Sequence, residues 1–445
     1  MTVIDRFIHK RLSIAPLVTF RVVFGFIMFL SIVRFWANGW IEEQFIKPAF
    51  HFKYFGFHWM PEFADWGYYL MFSLMAFSAL GIALGAFYRI SAIVFFLSFT
   101  TIELVDATYY LNHYYFVSLV AFLLIWLPAN RRHSVDVKMG LTNAADHVPA
   151  LAINLIKFQL GLVYFLAGVA KLNADWLFEA MPLAIWLPSQ DHLPVIGSIL
   201  KQPETAFAFS WAGAIYDLSI PFLLLIARTR WLAYIAVVVF HLLTWSLFQI
   251  GMFPFIMIGA TLIFFSADLH QKAHGFLGGN GGAKLPTEPA YFKISMPVKA
   301  VVAVFAVVQL ALPFRHLLYP GNPFWHEQGY RFGWRVMLVE KAGYAQFKVV
   351  DEKGRKIFVD NRDFLTPVQE KMMSTQADFM LQYAKFLKQH YSSEGVETAA
   401  VNADVFVTFN GRSSCPFIDP SVDLASIEDG WRHKTWILPF NPGKS

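Results

Sequence analysis

The stretch "YFLAGVAKLNADW", residues 164–176, reads as the end of an apolar helix that runs directly into a lysine, Lys171, close behind Gly168. An ammonium group there is costly unless it snorkels to an interface or is kept for chemistry. Which applies depends on whether the helix crosses a bilayer, and the composition says that it does. Of 445 residues, 56% are hydrophobic, 18% aromatic and only 15% charged, and the mean hydropathy is +0.46. Length alone would suggest two or three soluble domains; this composition places the chain among integral membrane proteins instead. The net charge of +5 is modest and gives no nucleic-acid reading.

A helix needs about 20 apolar residues to cross a bilayer. Nine stretches approach that length, at about 17–37, 69–87, 90–108, 112–128, 152–170, 210–227, 231–248, 250–266 and 297–315. The apolar run after Arg6, Lys10 and Arg11 is long and lacks a small-residue cleavage site, so it is expected to be a retained first span. Lys10, Arg11, Arg89, Arg131, Arg132, Arg228, Arg230, Lys272 and Lys284 all fall on one side if the N-terminus is cytoplasmic. An odd number of spans then puts the C-terminal region outside.

That region, 316–445, has a mixed composition. "YAQFKVVDEKGRKIFVD" (344–360) alternates around Lys353-Gly354 and predicts a hairpin. "TPVQEKMMSTQADFMLQYAKFLKQHY" (366–391) has helical periodicity and opens on Thr366 and Pro367, a cap and first-turn pair. "DVFVTFNGR" (404–412) predicts a strand ending in a turn. The expectation is an α-helical membrane domain over 1–315, with about nine transmembrane helices, and an extramembrane α+β domain over 316–445. Gly-rich "LGGNGGAK" (277–284) reads as a linker. With one cysteine, Cys415, no intrachain disulfide or thiolate metal site can be built, and no metal constellation is expected.

Ionisable groups inside spans are functional hypotheses by default. On this topology Asp106, His113, Lys171, His241 and His316 all fall toward the outer half. Asp106 and His113 in "DATYYLNHYYF" (106–116) would share a helix face with Tyr109 and Tyr110, or meet across a turn at Asn112. Gly251 and Pro254 interrupt the eighth stretch, and broken backbone at that depth must line protein or a cavity. Each group has a plainer reading: Lys171 snorkelling, His241 packed and satisfied, His316 a boundary residue, the tyrosines an interfacial belt.

Taken together, these stretches resemble the vitamin K-dependent γ-glutamyl carboxylase family, within the horizontally transferred transmembrane group. The resemblance runs over nearly the whole chain, through "TFRVVFGFIMF" (19–29), "GIALGAFYRIS" (81–91), "DATYYLNHYYF", "YFLAGVAKLNADW", "FHLLTWSLFQIGMFPF" (240–255), "LPFRHLL" (312–318), "GYRFGWRVM" (329–337) and "FIDPSVDL" (417–424). The lysine segment and "FQIGMF" (248–253) are its most specific parts. The resemblance implies carboxylation of glutamate in a peptide or protein, driven by oxidation of vitamin K hydroquinone, or a menaquinol, to the epoxide. O2 and CO2 are co-substrates. Lys171 would be the weak base, made neutral by burial in an apolar pocket, and the oxygenated quinone would then remove the glutamyl γ-proton. His113 with Asn112 would position the hydroquinone, and Asp106 would orient that pair. His241, Phe253, Tyr110 and Met252 would form the quinone pocket, and His316 a supporting site. Arg331, Trp334, Arg335 and Met337 would lie near the glutamyl substrate, with Arg331 or Arg335 pairing its carboxylate.

The chain departs from the animal enzymes in lacking their disulfide, in stopping soon after "FIDPSVDL" and in the charges of "WRVMLVEKAG" (334–343). These departures lean toward a compact bacterial homologue, in an inner membrane with a periplasmic domain. Three other readings stay open: a quinol epoxidase without carboxylation, a proton-coupled transporter using the buried His and Asp, and a scaffold.

Overall fold

The computed structural model describes residues 8–276 and 294–441. Arg6, Lys284 and the Gly-rich 277–284 stretch lie outside the described residues. The chain is an integral membrane protein whose apolar helices are α1 (Ala15–Ala37), α2 (Asp65–Leu84), α3 (Tyr88–Val105), α4 (Asn112–Trp126), α5 (Ala150–Ala170), α6 (Pro203–Leu225), α7 (Arg230–Leu247), α8 (Phe253–Thr261) and, after the polar α9 (Ala267–Phe276), α10 (Met296–Ala311). Each of the nine apolar stretches therefore holds a helix, but they are not nine equal spans. Seven are long and apolar enough to cross a membrane. At 15 residues, α4 extends about 22 Å, short of a hydrocarbon core about 30 Å thick. The eighth stretch gives α8 and one 3₁₀ turn, then bends by 111° into α9, because apolar sequence gives way to "SADLHQK" (266–272).

The basic loops gather at one end of this bundle. Strand β1 (Arg11–Ser13) pairs antiparallel with β2 (His147–Pro149). Thr19 at the start of α1 bonds His270 of α9 at 2.9 Å. Arg21, buried in the first span, donates to the carbonyls of Ala129 at 3.1 Å and His133 at 2.6 Å, which meets the cost of a guanidinium in an apolar helix.

The C-terminal region docks on the opposite end. An antiparallel sheet of order β4-β3-β5-β6, formed by β3 (Lys341–Asp351), β4 (Lys356–Phe358), β5 (Thr398–Phe409) and β6 (Arg412–Pro416), packs against α12 (Ala377–Ser393), which in turn meets α11 (Pro367–Met373). The 344–360 hairpin and the 404–412 strand form as the alternation predicts. The 366–391 stretch is two helices, and Thr366 caps the first in a reciprocal box with Gln369. Alternate residues Ala345, Phe347 and Val349 of β3 meet Phe379, Met380, Tyr383 and Leu387 of α12 in one buried cluster. This unit is joined to the bundle by Gln369, whose amide donates to the carbonyl of Phe50 at 2.7 Å and to Asp106 at 2.9 Å.

Candidate active site

A chamber of about 780 Å³ opens among α1, α4, α5, α6, α7 and the turn before α8. Its size lies in the range of small-molecule sites. Lys171 stands on its wall because of what ends α5. The lysine is the C-cap of that helix, and two residues on Asn173 caps a short turn by accepting from the Trp176 amide at 3.0 Å. Trp176 is thereby set with its ring 5.2 Å from the Lys171 ammonium, and its indole donates to the carbonyl of Ser210 on α6 at 2.7 Å.

The same helix α6 supplies the partner. Lys171 Nζ donates to Oδ2 of Asp217 at 2.6 Å, and both side chains are nearly closed to solvent at 6% and 7% exposure. Asp217 had not been singled out among the candidate residues. The helices reach this separation because Gly168 on α5 lies against Leu218, where a Cβ would come within 2.8 Å of the leucine backbone nitrogen. Pro221, one turn beyond Asp217 within α6, leaves the Asp217 carbonyl without its usual helical donor.

Around this pair the chamber wall includes Tyr110, Asn112, His113, His241, Met252, Phe253 and Met337 among the candidate residues. His113 stacks on Phe253 with centroids 5.4 Å apart, and Phe253 meets His241 edge-on at 5.6 Å. His241 is buried; its Nε2 is 3.0 Å from the Tyr164 hydroxyl and its Nδ1 has no partner. Gly251, at φ +61°, makes the turn that brings Ile250, Met252 and Phe253 to the wall. Broken backbone does line a cavity here.

Asn112 is engaged with protein. Its Oδ1 accepts from the Tyr110 hydroxyl at 3.1 Å and its Nδ2 donates to the Arg335 carbonyl at 3.1 Å. Tyr110 in turn accepts from the Phe332 amide at 2.8 Å. These bonds tie the start of α4 to the 331–337 segment.

Five candidates lie off the chamber wall. Asp106 ends α3 ahead of a 3₁₀ turn, so no continuous helix aligns it with His113. It accepts from Thr108 N and Oγ at 2.9 and 2.7 Å, from Gln369, and contacts His51 Nδ1 at 3.2 Å, which makes it a junction to the C-terminal unit. Arg331 pairs with Asp378 at 2.5 Å and also bonds Gln376. Burial alone would lower the Arg331 pKa and raise that of Asp378, but their mutual charge and hydrogen bonds outweigh it, holding arginine above and aspartate below their ordinary values. Trp334 is buried and stacks on Tyr115. Arg335 lies over the Tyr330 ring at 5.9 Å, and His316 bonds the Pro313 carbonyl at 3.0 Å. Among the described residues no group of three or more His, Cys, Asp or Glu could hold a metal ion.

A family model described as the HTTM domain matches residues 9–269. A second, described as the lumenal domain of vitamin K-dependent gamma-carboxylase, matches residues 294–442. No solved structure matches the chain.

Proposed function

From a chain that belongs to the HTTM family and carries the lumenal domain of the vitamin K-dependent γ-carboxylases, we propose an enzyme that carboxylates glutamate in a peptide or protein at the expense of a vitamin K hydroquinone. The observation that carries this reading is the buried Lys171–Asp217 pair on the wall of an aromatic chamber. The wall suits a flat phenolic ring: His113 and Phe253 already stack, and His241 Nδ1 is a buried polar atom without a partner. Tyr110 and Met252 complete that side. When bound, the hydroquinone supplies, through oxidation by O2, the strong base that a glutamyl γ-proton requires, and CO2 captures the resulting carbanion.

The residues of the chain prepare this step. Lys171 and Asp217 are together neutral whether written as ammonium and carboxylate or as amine and acid. Passing the shared proton to Asp217 leaves Lys171 with a lone pair, and the amine can then accept a phenolic proton without any charge entering the membrane uncompensated. His241 Nδ1 and His113 are available to bond the ring oxygens. Asn112 acts by holding Tyr110 and the 331–337 segment against the chamber, with Met337 as that segment's contribution to the wall.

The basic loops and the docked C-terminal unit lie at opposite ends of the bundle. This supports a cytoplasmic N-terminus and an extracytoplasmic C-terminal domain over 316–445, and we assign that side to a bacterial periplasm. The test is purified protein in detergent with reduced vitamin K, O2, labelled bicarbonate and a Glu-containing peptide. Epoxide and acid-stable label in the peptide are expected, both lost in Lys171→Ala and regained with a small added amine. Epoxide without label from any peptide would replace carboxylation with a quinol epoxidase.

A further inference from the structure

Lys171 and Asp217 cancel in charge, yet the chamber wall carries one more ionic group, Arg34, in the last turn of α1. Among the described residues its guanidinium has no ion pair and no side-chain hydrogen bond. Its neighbour is an aromatic face: the guanidinium carbon lies 4.7 Å from the centre of the Trp40 ring, and Phe35 braces Trp40 edge-on at 5.3 Å. Such stacking restrains a planar guanidinium and leaves its N–H donors unspent. Ser31 and Gln44 line the same chamber. The chamber therefore presents a surplus positive charge, oriented and without an anion.

The other arginines near this end are committed. Arg331 is held by Asp378 and Gln376, Arg315 donates to the Arg331 carbonyl at 3.3 Å, and Arg335 donates to the Pro313 carbonyl at 3.5 Å; none is on the chamber wall. We propose that Arg34 is the carboxylate-binding residue of the chamber, taking the γ-carboxylate of the glutamyl side chain before reaction and a carboxylate of the dicarboxylic product after it. This deepens the carboxylase reading and rests on it. An arginine suits both states, because its fork can bond one carboxylate in two places or bridge two. Arg34 is exposed in the fold, so a carboxylate can reach its donors, and an anion bound there brings the net charge of the wall to zero.

The test uses the full chain in nanodiscs of zwitterionic lipid, with Arg34→Gln and Arg34→Lys. Two quantities are read: the kinetics of label incorporation, and the binding of a Glu-containing peptide against its Gln counterpart, which needs no turnover. Loss of a charge-assisted bond in Arg34→Gln should raise the KM for peptide by about 10- to 100-fold, more than it lowers kcat, and abolish the preference for Glu over Gln. Arg34→Lys should recover part of both, and quinone binding should be retained as a check on folding. Unchanged KM and an unchanged Glu preference in Arg34→Gln would overturn the assignment. So would a defect seen only when anionic lipid is present, since the oxyanion bound would then be a headgroup phosphate. If wild-type protein fixes no label at all, the carboxylase reading fails, while the Glu-over-Gln binding comparison still decides the role of Arg34.

Discussion

Lys171 and Asp217 face each other across the α5–α6 contact at 2.6 Å, buried together on the chamber wall. A lone ammonium at this depth would be costly, and a lone carboxylate no less so. As a pair they can exchange a proton without changing the charge of the site. The pairing is thus a structural contact and, in the proposed mechanism, the route to a base.

Breaking the pair from either side should be expensive in different ways. Asp217→Ala leaves an uncompensated ammonium and should cost about 3–5 kcal/mol, as should Lys171→Ala with its orphaned carboxylate. A double variant, Lys171→Met with Asp217→Leu, should regain much of the lost thermal stability and none of the activity. A small amine should restore turnover to Lys171→Ala, where the base itself is missing, and fail with Asp217→Ala, where the amine is present but has lost the carboxylate that holds it in place. Melting curves and epoxide formation, measured on the four proteins, separate the two roles.

Gly168 sets the α5–α6 distance. A methyl group there would meet Leu218 backbone nitrogen and Cγ at 2.8 Å, so Gly168→Ala must push α6, and Asp217 with it, away from Lys171. Overpacking of this kind costs about 1–3 kcal/mol, and displacement of a reacting group by a fraction of an ångström should lower turnover by about tenfold or more. Adding Leu218→Ala removes the side-chain part of the clash but not the backbone part, so turnover should recover only partly. Full activity in Gly168→Ala would show that the separation is not critical.

How much of this was legible in the sequence depended on the range of the interactions. The membrane helices were visible because burial in lipid is a property of each stretch by itself. Their exact number was not, since the short α4 and the bend after α8 depend on what surrounds them. Lys171 announced itself as a charge in apolar surroundings. Asp217 in "AGAIYDLSIPF" (212–222) and Arg34 in the first span carry the same signal, and an even application of the insertion-cost argument would have found both. Asp106 misled because its neighbours in sequence are Asn112 and His113, whereas Gln369, one of the residues that bonds it, lies 263 positions away. Arg331 likewise looked free until the fold brought Gln376 and Asp378 to it.

Asp106 should therefore behave as a junction. Asp106→Ala strips the acceptor from Thr108 and Gln369 and the partner from His51, and each buried donor left unmet costs about 1–3 kcal/mol. A lower melting temperature and faster proteolysis between bundle and C-terminal unit are expected, with most of the epoxide formation per folded molecule retained. A folded variant with wild-type stability and no turnover would return Asp106 to the chemistry.

A second junction should respond to acid. Asp175, just past Lys171, accepts from Arg412 at 2.7 and 2.9 Å and from Asn410 at 2.7 Å, joining the loop after α5 to the β5–β6 turn. Burial alone would raise its pKa, but these bonds prevail and hold it below the usual carboxylate value. A depressed folded-state pKa means that the stabilisation is present above the unfolded value, about 3.9, and is lost as pH falls through the lower folded value. Hydrogen exchange at the β5–β6 turn should accordingly rise, relative to the intrinsic rate, only below about pH 4. Asp175→Asn, which leaves Arg412 its second carboxylate partner, Glu179 at 2.7 Å, should show raised exchange at neutral pH and a smaller acid step. If the wild-type turn loosens instead between pH 5 and 7, a histidine and not Asp175 governs this contact.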